Sequence, residues 1–233
     1  MRRILMSMMV LVLGGGATAA FSASTWVQGT HYFLIQPVQP TNVAAGKVEV
    51  TEVFSYACPA CNRFYPMVDK LKAALPANAE LTFVPAAFNT SEDWPMFQRA
   101  YFAAQTLGID KREHDAMFDA VWKTGEMAII DPGSQRIKVP APTIDDAAKW
   151  YAKVAGVKAD AFLSAANSFG VDTKTRQADQ FIRATQVDQT PTMVVNGKYR
   201  VTVASAGTDD KLVELILWLV AQESGGAAKT SAH

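Results

Sequence analysis

Hydrophobic positions repeat with two periods along this chain, and each change of period marks a new element. His31-Tyr32-Phe33-Leu34-Ile35 reads as a strand, closed by Pro37 and Pro40, which have no N–H to give a ladder. Val48-Glu49-Val50-Thr51-Glu52-Val53-Phe54 reads as a second, too short and too β-branched for a helix. Phe64, Val68, Leu71 and Leu75 then keep helical spacing until Pro76, with Pro66 expected to kink the helix from inside. Leu81-Thr82-Phe83-Val84 begins a third strand.

The middle of the chain is almost entirely helical. Ser91 with Glu92 and Asp93 suggests a helix start, and Phe97, Ala100, Tyr101 and Ala104 form a stripe ending near Leu107 and Gly108. Asp110 is a candidate cap for a helix facing inward through His114, Met117, Phe118 and Val121. Prolines and Gly133 make 131–142 a loop. Thr143, with Asp145 and Asp146, caps a helix carrying Trp150 and Val154 that stops at Gly156, and two more are expected over 159–168 and 175–185. Strands return with Thr192–Val195 and Tyr199–Val203 around Asn196-Gly197, a pair suited to the positive φ of a type I′ turn. Thr208 caps a last helix with Val213, Ile216, Leu217 and Val220 on one side, and 224–233 is expected to be a flexible tail.

The pattern is that of an α/β sheet interrupted by a helical insertion: 24–88 with 188–223 in the sheet domain, and 89–187 in the insertion. With 49% hydrophobic and 19% charged residues, the 233-residue chain can bury a substantial core. Acidic and basic residues balance at 22 each, which excludes a large basic field for nucleic acid.

Residues 1–23 carry Arg2 and Arg3, an apolar run from Ile4 to Leu13, and small residues leading to Ala19 and Ala23. This is the three-part order of a signal peptide, with cleavage expected after Ala19 or Ala23. The apolar run falls well short of the roughly 20 residues that span a bilayer. The mature protein is therefore expected outside the cytoplasm, in a compartment where disulfides persist, with the periplasm the expected location.

Only two cysteines are present, Cys58 and Cys61, and they sit between a strand and a helix. A Cys-x-x-Cys pair there places the first sulfur beside unpaired helix N–H groups and the positive end of the dipole, and both favour a thiolate. Cys58 is expected to be the exposed, exchanging sulfur and Cys61 its shielded resolving partner. Pro59 fits the first helical turn, where its missing N–H is not needed. Three plainer readings compete. A purely structural bridge across so short a loop recovers only roughly 2 kcal/mol of chain entropy. Half a zinc site needs two further ligands from His31, His114 and His233, whose spacing is not that of a metal site. Two inert buried thiols fit poorly with export.

Glu52-Val53-Phe54-Ser55-Tyr56-Ala57-Cys58-Pro59-Ala60-Cys61, the long helical insertion and Thr190-Pro191-Thr192 before the last hairpin together resemble the DsbA family of periplasmic thiol:disulfide oxidoreductases. The resemblance covers essentially the whole mature chain and implies a thioredoxin-like fold with an inserted helical domain. Pro191 matches the family's cis proline facing the cysteines, and Thr190 before it a residue that helps select redox partners. Glu52 matches a buried acid beneath the active site that holds or relays the Cys61 proton. An exposed edge-strand face is the alternative for Glu52, although Val50 and Phe54 share its side.

The sequence departs from the family at Ala60, commonly His, and the loss of that donor should raise the Cys58 pKa and weaken the protein as an oxidant. A lysine found in some relatives has no counterpart in Leu81–Val84. His114, Phe97, Tyr101, Phe118 and Trp122 read as the core of the insertion, part of it surfacing as an apolar groove. The implied activity is oxidation of thiols in exported proteins without metal or organic cofactor, with reoxidation by a DsbB-like quinone-linked membrane partner. A reductase or isomerase of the same fold is the nearest rival, and a binding module with a structural bridge the more distant one. The few residues between the leader and Thr30 leave no room for an added dimerisation domain, so a monomer is expected.

Overall fold

A computed structural model describes residues 26–131 and 133–230, with side chains as far as Gly225. The proposed leader, His233 and the end of the tail lie outside the described residues. The chain runs β1 (Phe33–Leu34), β2 (Val48–Phe54), α1 (Pro59–Ala74), β3 (Ala79–Pro85), a 3-10 turn (Thr90–Glu92), α2 (Trp94–Thr106) and α3 (Asp110–Trp122). It continues with α4 (Ile144–Ala155), α5 (Ala159–Ala166), α6 (Phe169–Ala184), β4 (Thr192–Val195), β5 (Tyr199–Val201), α7 (Val203–Ala206) and α8 (Asp209–Thr230).

The five strands form one sheet in the order β1-β5-β4-β2-β3. β2 and β3 are parallel, with α1 as their crossover, and β2 is antiparallel to β4. Every residue of β2 is buried, as a central strand covered on both faces must be. Val48, Val50, Met193, Val195 and Val201 meet Phe64, Val68 and Leu71 of α1 and Leu212, Ile216 and Leu219 of α8. A second, larger core joins Val53, Phe54 and Val194 to α2, α3, α4, α5 and α6. The hairpin between β4 and β5 turns through Asn196 (φ 52) and Gly197 (φ 62), both left-handed as a type I′ turn requires. Gly197 also lies against the Gln39 backbone, where a Cβ would collide.

Several boundaries differ from the pattern-based expectation, each for a local reason. β1 keeps only Phe33 and Leu34 of the five residues expected, paired with Arg200 and Tyr199. Ser91 lies inside a 3-10 turn capped by Asn89 rather than opening α2, which starts at Trp94 after Asp93 adopts a left-handed conformation. Asp110 is the first residue of α3 and not its cap. Ser168, expected to end one helix, caps the next by accepting from Val171 N at 3.2 Å, so α6 begins at Phe169. β5 stops at Val201 because Thr202 and Ser205 form a capping box for the single-turn α7. α8 continues into the expected tail as far as Thr230, with the Ser224 hydroxyl donating to Val220 O at 2.8 Å.

Candidate active site

The sheet order brings one end of β2 and the start of β4 side by side, and the residues of interest collect there. β2 leaves the sheet at Phe54, and a turn closed by Cys58 N donating to Ser55 O at 3.1 Å delivers Cys58 to the start of α1. Cys58 is the N-cap residue, with extended φ −84 and ψ 118, and Pro59 is the first helical residue. At that position the Cys58 sulfur takes the place of a capping oxygen, accepting from Cys61 N at 3.4 Å. On its other side the Cys58 thiol donates to Thr190 O at 3.5 Å. The Thr190–Pro191 peptide is cis, and β4 begins one residue later.

Both cysteines are free thiols. Cys58 is 5% exposed and Cys61 fully buried, so the outer sulfur is more shielded than its expected role as the exposed thiol implied. The Thr190 carbonyl and the first turn of α1 cover it. The Cys61 thiol, donating to the Cys58 sulfur, is the largest influence on Cys58, and the amides of Cys61 and Ala60 add to it. Together they outweigh burial and hold Cys58 down to about 6. Cys61 moves the other way, pushed well above the usual thiol range by burial, by its bond to Cys58 and by the Glu52 charge. The two sulfurs are thus polarised in opposite senses: an ionisable outer one and a protonated inner one.

Glu52 lies opposite Phe83 on β3 and Met193 on β4, on the face of the sheet that α1 covers. It is 2% exposed, which removes the edge-strand alternative, and burial together with the Cys58 charge pushes it up to about 8. Ala60 presents a methyl group beside the sulfur, where only its amide contributes. Pro66 lies within α1, which nonetheless runs to Ala74.

The aromatic stripe of the insertion is buried as expected at Phe97, Tyr101 and Phe118. His114 is buried among Phe54, Phe83 and Phe118, its ring held down to about 3 by burial, and it lines a cavity of about 480 Å³ with Tyr65, Val68 and Leu81. Two contacts to the turn before Cys58 were not anticipated. The Trp122 indole N–H donates to Tyr56 O at 2.7 Å, and the Tyr56 hydroxyl pairs with His114 Nδ1 at 2.9 Å. The signal was there in Tyr56 itself, a polar-tipped aromatic two residues before Cys58 whose hydroxyl needs a partner when buried.

Residues 43–216 match the family described as thioredoxin. A thiol:disulfide interchange protein DsbA from Azotobacter vinelandii is 33% identical over 194 residues, 83% of this chain and 79% of that protein. The chain belongs to the DsbA family. The DsbA of Pseudomonas aeruginosa strain PAO1 is 29% identical over 98% of this chain and 100% of its own. A crystal structure of Pseudomonas aeruginosa DsbA superposes with a TM-score of 0.74 at 30% identity, covering 88% of this chain and 98% of that one. DsbA from Xylella fastidiosa gives 0.73 at 32% identity, over 84% and 96%. As a member of that family the protein is a thiol:disulfide oxidoreductase, a class that works through a redox-active cysteine pair, and the sequence holds one pair, Cys58 and Cys61.

Proposed function

We propose that the protein donates the Cys58–Cys61 disulfide to reduced, newly exported proteins. A substrate thiolate attacks Cys58 Sγ, the inter-cysteine S–S bond breaks, and the electron pair leaves on Cys61, which takes up a proton. The mixed disulfide is then broken by the substrate's second thiolate, which forms the new S–S bond and releases Cys58 as a thiolate. Two electrons move from substrate to protein. The observation that carries this reading is the opposite polarisation of the two sulfurs, with Cys58 held at about 6. A stabilised thiolate is a good leaving group and favours the dithiol form, which makes the couple oxidising.

In this reading Glu52, buried beneath the pair, exchanges the Cys61 proton, and Thr190 and Pro191 form the rim along which substrate lies. Pro59 and Ala60 present the first helical turn. The dithiol is returned to the disulfide by a DsbB-like quinone-linked membrane oxidase. The protein acts as a monomer in the periplasm, and the leader reading of residues 1–23 supports that location.

Alkylation trapping in intact cells tests the direction of the reaction. A mostly disulfide Cys58–Cys61 pair supports oxidation; a mostly dithiol pair overturns it in favour of a reductase. Cys58→Ser separates the activity from a binding module, because it abolishes oxidation of a reduced test protein but would leave a binding function intact.

A further inference from the structure

We propose that α3 is a brace for the exchanging sulfur, in which Trp122 and His114 act as positioning residues by gripping Tyr56 at both ends. Their contacts reach the segment that sets Cys58. The Trp122 indole N–H holds the Tyr56 carbonyl at 2.7 Å, and His114 Nδ1 holds the Tyr56 hydroxyl at 2.9 Å. One residue intervenes between Tyr56 and Cys58, and the Ala57 amide is already committed to Ser55 Oγ at 3.2 Å. The same helix grips α1 one turn beyond Cys61: Tyr65 stacks on Phe118 at 5.4 Å and 9°, and its hydroxyl donates to Asp119 Oδ1 at 3.3 Å. Lys123 closes that side by donating to the Tyr65 hydroxyl at 2.8 Å.

The cysteines therefore lie between two points fixed by α3, one on the incoming turn and one on the outgoing helix. The alignment of Cys58 Sγ with Cys61 N, at 3.4 Å, depends on where the turn is held. Tyr56 is 1% exposed, so its hydroxyl and carbonyl have little access to water in place of these partners. Releasing either end lets the turn relax away from the helix N-terminus. The sulfur then loses part of its donor set while the cysteines, Glu52 and Thr190 remain unaltered in sequence.

This inference rests on the reading of Cys58 as the exchanging sulfur, and the test separates the two. Trp122→Phe keeps the aromatic bulk and removes the donor; Tyr56→Phe removes only the hydroxyl and serves if the first variant does not fold. Gly197→Ala, in the hairpin between β4 and β5 where a Cβ meets the Gln39 backbone, provides a destabilised control that touches none of the brace residues. The ultraviolet thiolate band is titrated in the reduced proteins, and the equilibrium with glutathione is measured. Trp122→Phe and Tyr56→Phe are expected to raise the Cys58 pKa and lower the oxidising equilibrium constant a few-fold, up to about tenfold. Gly197→Ala is expected to lower Tm and change neither, and Trp122→His, which restores a ring N–H, to recover part of the loss. Unchanged titration and equilibrium in both brace variants, with an acidic Cys58 in the parent, overturn the brace alone. An equal shift in Gly197→Ala overturns it too, by tracing the effect to general loosening. A parent Cys58 no more acidic than a free thiol overturns the underlying reading and the brace with it.

Discussion

Glu52→Gln replaces the buried carboxyl by a neutral group of the same shape, and its consequence can be worked through in sign and size. The carboxyl has an ordinary pKa of 4.5 in the unfolded chain and titrates at about 8 in the folded dithiol protein. Between those values the folded state holds a proton that the unfolded state has lost, so raising the pH through this window destabilises the fold. At about 1.4 kcal/mol per pH unit, roughly 3 kcal/mol is lost by pH 7 and on the order of 5 kcal/mol above pH 8. Glutamine carries no such penalty. The variant should match the parent near pH 4, gain on it steadily from 4.5 to about 8, and hold a constant advantage above. The Cys58 charge is the second cause of the shift, so the gain should be smaller in the disulfide form. Urea unfolding of both proteins, reduced and oxidised, across that range measures the difference. Parallel stability curves would refute the buried-acid argument and with it the proton-holding role of Glu52.

Two further outcomes follow from the site and the sheet. Ala60→His adds a donor beside the Cys58 sulfur and should lower its pKa and strengthen the protein as an oxidant, by about 30 mV for each 1.4 kcal/mol given to the dithiol form; a glutathione equilibrium that does not move would contradict the stated effect of Ala60. Gly197→Ala forces a Cβ into the Gln39 backbone at a left-handed φ of 62 and should cost about 2 kcal/mol in urea unfolding, with the Cys58 titration unchanged.

The strand before the cysteines, their helix and the final hairpin were legible in the sequence because their signals are local. Asn196-Gly197 states its own turn, and Val50, Glu52 and Phe54 share one face by period two whatever lies opposite. Helix limits were less legible where one residue can serve two neighbours. Ser168 could close one helix or cap the next, and nothing in its immediate sequence decides between the two; in the fold Asn167 ends α5 and Ser168 caps α6. The approach of Thr190 to Cys58 joins positions 132 residues apart, and only the family resemblance suggested it before the sheet order placed them together. Trp122 and His114 showed helical spacing and read as core, which they are; that each also holds Tyr56 depends on how α3 meets the turn after β2, a tertiary relation without a sequence period.

The central claim is that the first turn of α1 and the Cys61 thiol keep the outer sulfur ionised. It is tested most directly by the rate of iodoacetamide alkylation of the reduced protein as a function of pH. The account predicts a single reactive thiol, Cys58, whose rate rises with a midpoint at about 6 while Cys61 stays unmodified. A midpoint at the ordinary thiol value of 9.0, or equal modification of both cysteines, would contradict it.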